Sequence, residues 1–110
     1  MQIDIQARDF SLTPALQKYI RRRLGYALGN HEERIQFVRI RLLDINGPRG
    51  GNDKLCQIQV VLASLPDVII DDIEADMYVA IDRASDRASR TVGRRLSRQQ
   101  DLLRGMSLQR

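Results

Sequence analysis

The spacing of apolar residues along the chain predicts four strands and two helices. Polar and apolar residues alternate with a period of two, as in strands with one buried face, in four segments. These segments are residues 2–7, 35–45, 55–63 and 68–75. Apolar residues instead recur every three or four positions between Thr13, a predicted N-cap, and Gly29, a predicted helix stop. This helical spacing returns from Asp76 onward, so the predicted order is β-α-β-β-β-α.

The second predicted helix, residues 76–98, combines an apolar stripe with a row of arginines. The stripe consists of Met77, Ile81, Ala84, Ala88, Val92 and Leu96. The row repeats the same spacing and is predicted to lie on the opposite side of the helix, with Arg83, Arg87, Arg90, Arg94 and Arg98. Asp82 and Asp86 flank this row without interrupting it. Because a solvated helix face usually alternates the sign of its charges, the row indicates an anion-binding face, with an ordinary surface helix as the alternative.

The predicted elements fit an α+β fold, in which a four-stranded sheet has both helices packed on one face. The three later strands follow one another through short turns and are expected to form an antiparallel meander. The first two strands are joined through a helix, so they can pair in parallel only by a crossover connection. Each helix has one apolar stripe, so both are expected to cover the same face of the sheet. Residues 1–98 form the single predicted domain, and residues 99–110 are predicted to be a frayed or flexible tail.

The distribution of charge indicates a polyanionic partner. The net charge is +4, and sixteen of the eighteen basic residues are arginine, which suits bidentate contacts with phosphate. Residues 67–76 carry five acids and no base, whereas residues 77–110 carry eight arginines against three aspartates. A basic surface of this kind is typical of nucleic-acid-binding proteins. Lys18 and Arg22, one turn apart on the outer side of the first helix, are further candidates, with plain solvated charge as the alternative.

Other classes of function have little support in the sequence. The single histidine, His31, adjoins two glutamates in a predicted loop, and no His or Cys residues have the spacing of a metal site. The single cysteine, Cys56, falls on the apolar face of a strand, as a core residue does. No metal, cofactor, small-molecule substrate or catalytic residue is therefore predicted. Neither a membrane-length apolar run nor a signal peptide is present, so a cytoplasmic location is expected.

Two sequence motifs resemble those of a known family. The heptapeptide DMYVAID, residues 76–82, closely matches the D-M-Y-x-A-I-D signature that opens the last helix in the ribosome hibernation promoting factor and ribosome-associated inhibitor family. The segment LTPAL, residues 12–16, is similar to the x-T-x-A-L that begins the family's first helix. The predicted order of elements is also that of the family, and the resemblance covers roughly residues 1–98.

The resemblance implies a fold like that of double-stranded RNA-binding domains and a non-catalytic role in translation. Members of the family sit in the channel of the small ribosomal subunit where messenger and transfer RNA would lie, and they promote ribosome hibernation under stress or in stationary phase. By this similarity, Arg87, Arg90 and Arg94 are expected to contact ribosomal RNA phosphates. The assignment of Arg83, Arg98, Lys18 and Arg22 to the same contacts rests on helix geometry alone.

Two alternative functions remain open from the sequence. The chain also fits a stand-alone double-stranded RNA-binding module, or a regulator whose basic helix docks an acidic partner protein. It resembles a short member of the family, without the C-terminal domain that dimerises ribosomes in long members. We expect a monomer in the free state, with weak self-association through outward-facing Phe37, Leu43 and Val61. The segment 47–53 is predicted to be a glycine-rich hairpin loop.

Overall fold

The protein folds in the predicted order of elements. The computed structural model describes residues 1–45 and 51–108, with side chains as far as Gly105. The elements are β1 Ile3–Arg8, α1 Pro14–Leu28, a 3-10 helix Gly29–Arg34, β2 Ile35–Asp44, β3 Lys54–Leu62, β4 Val68–Glu74 and α2 Met77–Leu108. Each strand begins and ends within one residue of its predicted limits. The glycine-rich part of the predicted hairpin loop, residues 47–50, lies outside the described residues.

The four strands form one mixed sheet in the order β1-β2-β3-β4. β1 pairs parallel with β2 by a crossover through α1, and the three later strands form the predicted antiparallel meander. The register brings one isoleucine from each strand into a row across the sheet. This row is Ile5, Ile40, Ile58 and Ile70. It lies on the face that both helices cover, so β-branched side chains from all four strands meet the helix layer.

Both helices pack on this inner face through their apolar stripes. The buried residues of α1 are Leu16, Ile20, Leu24 and Leu28. All six residues of the predicted stripe on α2 are buried, together with Ala80. The α2 stripe is rich in alanine, and small side chains at such a contact let the helix backbone approach the strands closely. α2 lies over β3 and β4, with α1 beside it.

The helix starts agree with prediction, but the helix ends differ. The Thr13 hydroxyl accepts a hydrogen bond from the Leu16 amide (3.1 Å), and the Asp76 carboxylate accepts one from the Tyr78 amide (2.7 Å). α1 ends as predicted, but Gly29 has a right-handed φ of −58°, so no left-handed glycine cap is formed. The chain instead tightens into the 3-10 helix, where a loop was expected. α2 continues through Leu108, ten residues beyond the predicted end of the domain at residue 98, and the frayed or flexible character of the tail stays a prediction.

A polar cluster joins α1 to α2 above the apolar core. The Tyr19 hydroxyl donates a hydrogen bond to the Asp82 carboxylate, and Arg23 pairs with Asp82 (3.2 Å) and with Asp86. The rings of Tyr19 and Tyr78 meet edge to face, with centroids 4.8 Å apart. The two aspartates predicted to flank the arginine row therefore turn toward α1. The hydrogen bond to Asp82, with a smaller effect of burial, raises the pKa of Tyr19 to about 12.

Replacing Tyr19 with phenylalanine is expected to lower the free energy of unfolding by about 1 kcal/mol at pH 8, because a hydrogen bond to a charged group is lost. The bond requires the neutral phenol, whose pKa is raised to about 12 from a value of 10.0. Its contribution is therefore complete below pH 10 and is lost as pH rises through 12. Urea unfolding of Tyr19→Phe and the natural chain at pH 8 and pH 11 measures this difference.

Tyr78→Phe is the matched control for this comparison. Tyr78 contacts the same ring, but its hydroxyl has no hydrogen-bond partner among the described residues, so its removal is expected to leave stability unchanged. An equal effect of both variants, or an effect of Tyr19→Phe that does not shrink at pH 11, would contradict the assigned bond.

Candidate nucleic-acid interface

The arginine row of α2 lies on the flank of the helix that faces β4. The prediction that it lies opposite the apolar stripe is wrong, because the row is displaced from the stripe by only roughly a third of a turn. Arg83 pairs with Glu74 at 3.3 Å, and the Arg87 guanidinium donates to the main-chain oxygen of Asp71 at 2.6 Å. α2 thus runs antiparallel to β4, and its first arginines reach down to the edge of the sheet.

These two arginines are partly neutralised by the acidic end of β4. Arg87 also lies 3.9 Å from a carboxylate oxygen of Asp72, and the side chains of Asp72 and Glu74 are 15% and 18% exposed. Burial, followed by the charge of Glu74, raises the pKa of Asp72 despite the nearby guanidinium groups. Arg83 and Arg87 therefore bind the helix to the edge strand, which makes them poorer candidates for contact with a partner.

Arg90, Arg94 and Arg98 are exposed and make no ion pair in the part of the chain that the structure describes. The only hydrogen bond from these guanidinium groups, within the same part, is a long one of 3.4 Å from Arg94 to Thr91. Arg95, in the same stretch of α2, contacts the main chain of Pro66 and Asp67, so this stretch passes the start of β4 and the turn before it rather than the acids at the end of the strand. The acids of the edge strand thus neutralise the first part of the row and leave the rest uncompensated.

The free part of the row borders a shallow cleft. Its lining residues are His31, Arg90, Gly93, Arg94, Ser97, Arg98 and Asp101. A side-chain carbon at Gly93 would lie 3.7 Å from Nε2 of His31, so the 3-10 helix packs directly against this turn of α2. Small residues at Gly93 and Ser97 leave the helix surface concave between longer basic side chains. This shape gives room for a phosphate chain to approach the helix.

Lys18 and Arg22 extend the exposed basic surface onto α1. Both are exposed, both lie on the side of α1 away from its buried stripe, and neither makes an ion pair among the described residues. We refer to these exposed, unpaired basic residues of both helices as the helical face. It consists of Lys18, Arg22, Arg90, Arg94 and Arg98. The structure thus leaves five of the seven predicted residues free to bind an anion and gives Arg83 and Arg87 partners within the chain.

Three further residues matter that the sequence analysis did not single out. Arg95 donates to the main-chain oxygens of Pro66 and Asp67, both at 2.7 Å, and fixes the turn before β4. Arg23 holds α1 to α2. Tyr26 has 85% of its surface exposed on the outer side of α1. The sequence could have singled out Arg95 by its position in the helix, because it falls between two apolar residues of the stripe.

The opposite face of the sheet is mixed in character. Arg39 pairs with Asp4 across β1 and β2 at 3.4 Å, and Arg41 donates to Gln6 at 3.1 Å. The outward apolar residues do not form the single patch that was expected. Phe37 lies beside Val61 near one end of the sheet, and Leu43 beside Leu55 near the other. The paired polar residues between them separate the two apolar groups, so self-association through this face stays a prediction.

The described residues also bear on metal, thiol and membrane chemistry. Residues 1–45 and 51–108 contain no group of three or more His, Cys, Asp or Glu side chains placed to hold a metal ion. Burial raises the pKa of the Cys56 thiol to about 12, so it is a poor nucleophile. Over the same ranges, no helix is both long and apolar enough to cross a membrane.

Most of the chain is matched by a known family. Residues 3–100 fit the family described as Sigma 54 modulation protein / S30EA ribosomal protein. The chain belongs to this family. Among curated protein sequences, none gives a significant match.

Two solved structures have the fold of this S30EA family member. The N-terminal domain of Thermus thermophilus Protein Y superposes with a TM-score of 0.71 and is 27% identical, over 86% of this chain and 98% of that domain. A ribosomal subunit interface protein from Coxiella burnetii gives a TM-score of 0.73 at 16% identity, over 88% of this chain and 99% of that one. The predicted α+β class, with four strands and two helices, is confirmed.

Replacing Asp72 with asparagine is expected to raise the free energy of unfolding at pH 7. The folded state holds the Asp72 proton more tightly than the unfolded chain does, so ionisation at neutral pH costs stability. This gain should disappear as pH falls below the ordinary value of 3.8, where both states are protonated. Urea unfolding at pH 7 and pH 3.5 measures the effect. Asp71→Asn, an exposed neighbour, serves as control, and destabilisation by Asp72→Asn at pH 7 would refute the argument.

Replacing Gly93 with alanine is expected to stabilise the protein by about 1 kcal/mol, because glycine is unfavourable inside a helix and the 3.7 Å approach to His31 is ordinary contact. Thermal unfolding measures the gain. Gly105→Ala, where nothing lies within 4 Å, is the control and is expected to give less, since the helix end has less packing to hold it. A lower melting temperature for Gly93→Ala would mean that the His31 contact needs a bare backbone.

Proposed function

We propose that this protein is a ribosome-associated, non-catalytic regulator of translation. It binds the small ribosomal subunit through ribosomal RNA, occludes the channel for messenger and transfer RNA, and promotes ribosome hibernation under stress or in stationary phase. Membership of a family described in part as an S30EA ribosomal protein supports the ribosome as its partner. The observation that carries the proposal is the helical face, with five exposed basic side chains that have no carboxylate partner in the described residues.

The mechanism follows from charge and shape. Each basic side chain that meets a phosphate releases condensed counterions, so affinity rises with the number of contacts and falls steeply with salt. The helical face belongs to two helices that are fixed to each other and to the sheet, so little ordering is needed on binding. An RNA-lined channel occupied in this way is closed to other RNA by mass action, and no chemical step is required.

The division of the arginine row refines the residues that we expect to carry the contact. Arg90, Arg94 and Arg98 are proposed as the main phosphate ligands, with Lys18 and Arg22 beside them. Arg83 and Arg87 each have part of the guanidinium group engaged, by Glu74 and by the Asp71 main-chain oxygen, and nearby carboxylates offset their charge. Their contribution to affinity is therefore proposed to be smaller, although the family resemblance includes Arg87.

Replacing Arg90, Arg94 and Arg98 together with glutamine is expected to weaken binding to purified small subunits and to flatten its salt dependence. Three lost phosphate contacts should reduce the slope of log Kobs against log salt by about two to three. Co-sedimentation with subunits at several salt concentrations measures both quantities. Stability should change little, because all three side chains are exposed.

The matched control replaces Arg8, Arg39 and Arg41 with glutamine on the opposite side of the sheet. Both triple variants lose three positive charges, so a general effect of net charge would weaken them equally. We expect the sheet-face variant to bind nearly as the natural chain does. Equal losses would contradict the assignment of the helical face. A double variant of Arg83 and Arg87 is expected to lose less than the first triple.

Binding and sedimentation experiments also distinguish this function from the two alternatives. A stand-alone double-stranded RNA-binding module would bind a short RNA duplex as tightly as it binds subunits. A regulator of an acidic protein would keep its salt-sensitive partner after nuclease treatment of the lysate. The hibernation role requires that the protein migrate with subunits, ribosomes or ribosome dimers when a stationary-phase lysate is sedimented. Occlusion of the channel requires that it reduce binding of messenger or transfer RNA to isolated subunits.

A further inference from the structure

Tyr26 is an aromatic side chain with no partner inside the described chain. Its exposed fraction, 85%, is the largest of any large hydrophobic residue that the structure describes. The four other aromatic rings are engaged. Tyr19 and Tyr78 contact each other, Phe37 lies beneath a guanidinium group 5.6 Å from its centroid, and Phe10 is half-buried against the core. This exposure leaves the ring of Tyr26 available to a partner.

The surroundings of Tyr26 are basic and open. Lys18, Arg22 and Tyr26 follow one another at four-residue spacing, which brings them into one line on the outer side of α1. The residues next to the ring on this surface include Gly25 and Gly29, and a side-chain carbon at either would meet nothing within 4 Å. One face of the ring is therefore accessible to a flat group that approaches along the basic line.

A cleft between the two helices lies beside this ring. Its volume is about 510 Å³, and its lining residues are Arg23, Gly25, Tyr26, Ala27, Gly29, Asn30, Asp86 and Ser89. The Asn30 amide and the Ser89 hydroxyl offer hydrogen-bond donors and acceptors, and Asp86 offers carboxylate oxygens. Arg23 and Asp86 are fixed by their ion pair. A ring beside polar groups suits a flat heteroaromatic group better than an apolar side chain.

We propose that Tyr26 stacks on one unpaired base of the RNA whose phosphates the helical face binds. The inference rests on the proposed function, and it adds to phosphate binding a contact that a fully paired duplex does not offer. Stacking of a base on an aromatic side chain adds binding free energy that does not depend on salt. The free energy of phosphate contacts, in contrast, falls as salt rises. The line of positive charge beside the ring favours RNA over a protein partner, because nucleic-acid interfaces are much more positively charged than protein–protein interfaces.

The test compares four versions of the full chain, the natural one, Tyr26→Phe, Tyr26→Leu and Tyr26→Ala, in binding to purified small subunits across a range of salt. Tyr26→Ala is expected to weaken affinity about tenfold or more without changing the salt slope. Tyr26→Phe should retain most of the affinity, since its ring stacks as well, and Tyr26→Leu should lose most of it. Because Tyr26 is exposed, thermal unfolding should be the same for all four.

Chemical probing of the subunit RNA supplies a direct readout. One nucleotide should be protected by the natural chain and by Tyr26→Phe, but not by Tyr26→Ala. Equal affinity of the natural chain and Tyr26→Ala, a changed salt slope, or equal loss in Tyr26→Phe and Tyr26→Ala would overturn the stacking contact. If Tyr26→Phe and Tyr26→Ala lost equal affinity, the effect would belong to the hydroxyl and not to the ring.

A second binding experiment separates this inference from the proposed function. An RNA hairpin with a single-nucleotide bulge is compared with the same hairpin fully paired. A preference for the bulge that Tyr26→Ala abolishes supports stacking, even if the natural chain fails to bind subunits and the proposed function falls. No preference for the bulge, together with no effect of Tyr26→Ala on subunit binding, refutes the inference while leaving phosphate binding by the helical face intact.

Discussion

The packing of α2 against β3 and β4 is the contact on which the rest of this structure depends. A stripe rich in alanine lets the helix lie close to the sheet, above a row of isoleucines contributed by all four strands. This contact fixes the rotation of α2 about its axis, and the rotation decides where each arginine points. It also fixes the direction of the helix, which runs back over β4 and so meets the acids of that strand in reverse order.

The antiparallel return of the helix explains why one row of arginines has two roles. The acids of β4 are near its C-terminal end, at Asp72 and Glu74, so they meet the first arginines of the helix. Later arginines pass a stretch of strand without acids and stay uncompensated. Arg83 and Arg87 thereby hold an edge strand to a helix, and the rest of the row has no carboxylate partner among the described residues. Such guanidinium contacts to the edge also occupy carbonyl groups that would otherwise invite another strand.

The two sides of the molecule differ in a way that fits a single binding surface. On the helical face, basic side chains outnumber the carboxylates available to pair with them. On the outer sheet face, Arg39 pairs with Asp4, Arg41 donates to the neutral amide of Gln6, and exposed Asp71 adds a second carboxylate. The apolar residues of this face are split into two separate groups. A ligand with many negative charges is therefore attracted to one side, which orients the protein as it approaches. The exposed ring of Tyr26 lies on that same side.

The sequence by itself determined the class of fold, the order of elements and the residues of the core. Periods of two and of 3.6 residues are local properties, and short connections left few ways to pair the strands, so the mixed sheet with both helices on one face followed. The DMYVAID heptapeptide also gave the family. The sequence did not determine which arginines are free. Arg83 and Arg90 belong to the same regularly spaced row, and only the position of β4 beneath the helix distinguishes them.

Tertiary structure also decided the positions of Asp82 and Asp86. Both contact α1, Asp82 through Tyr19 and Arg23, and Asp86 through Arg23. The same holds for His31, which packs on Gly93, and for the open ring of Tyr26. Each depends on how elements far apart in the chain pack against one another. The spacing of apolar residues predicts which side of a helix is buried, because the apolar side is the one that packs against the core. Which neighbour a polar side chain meets is set by the packing of whole elements, and no local pattern records it.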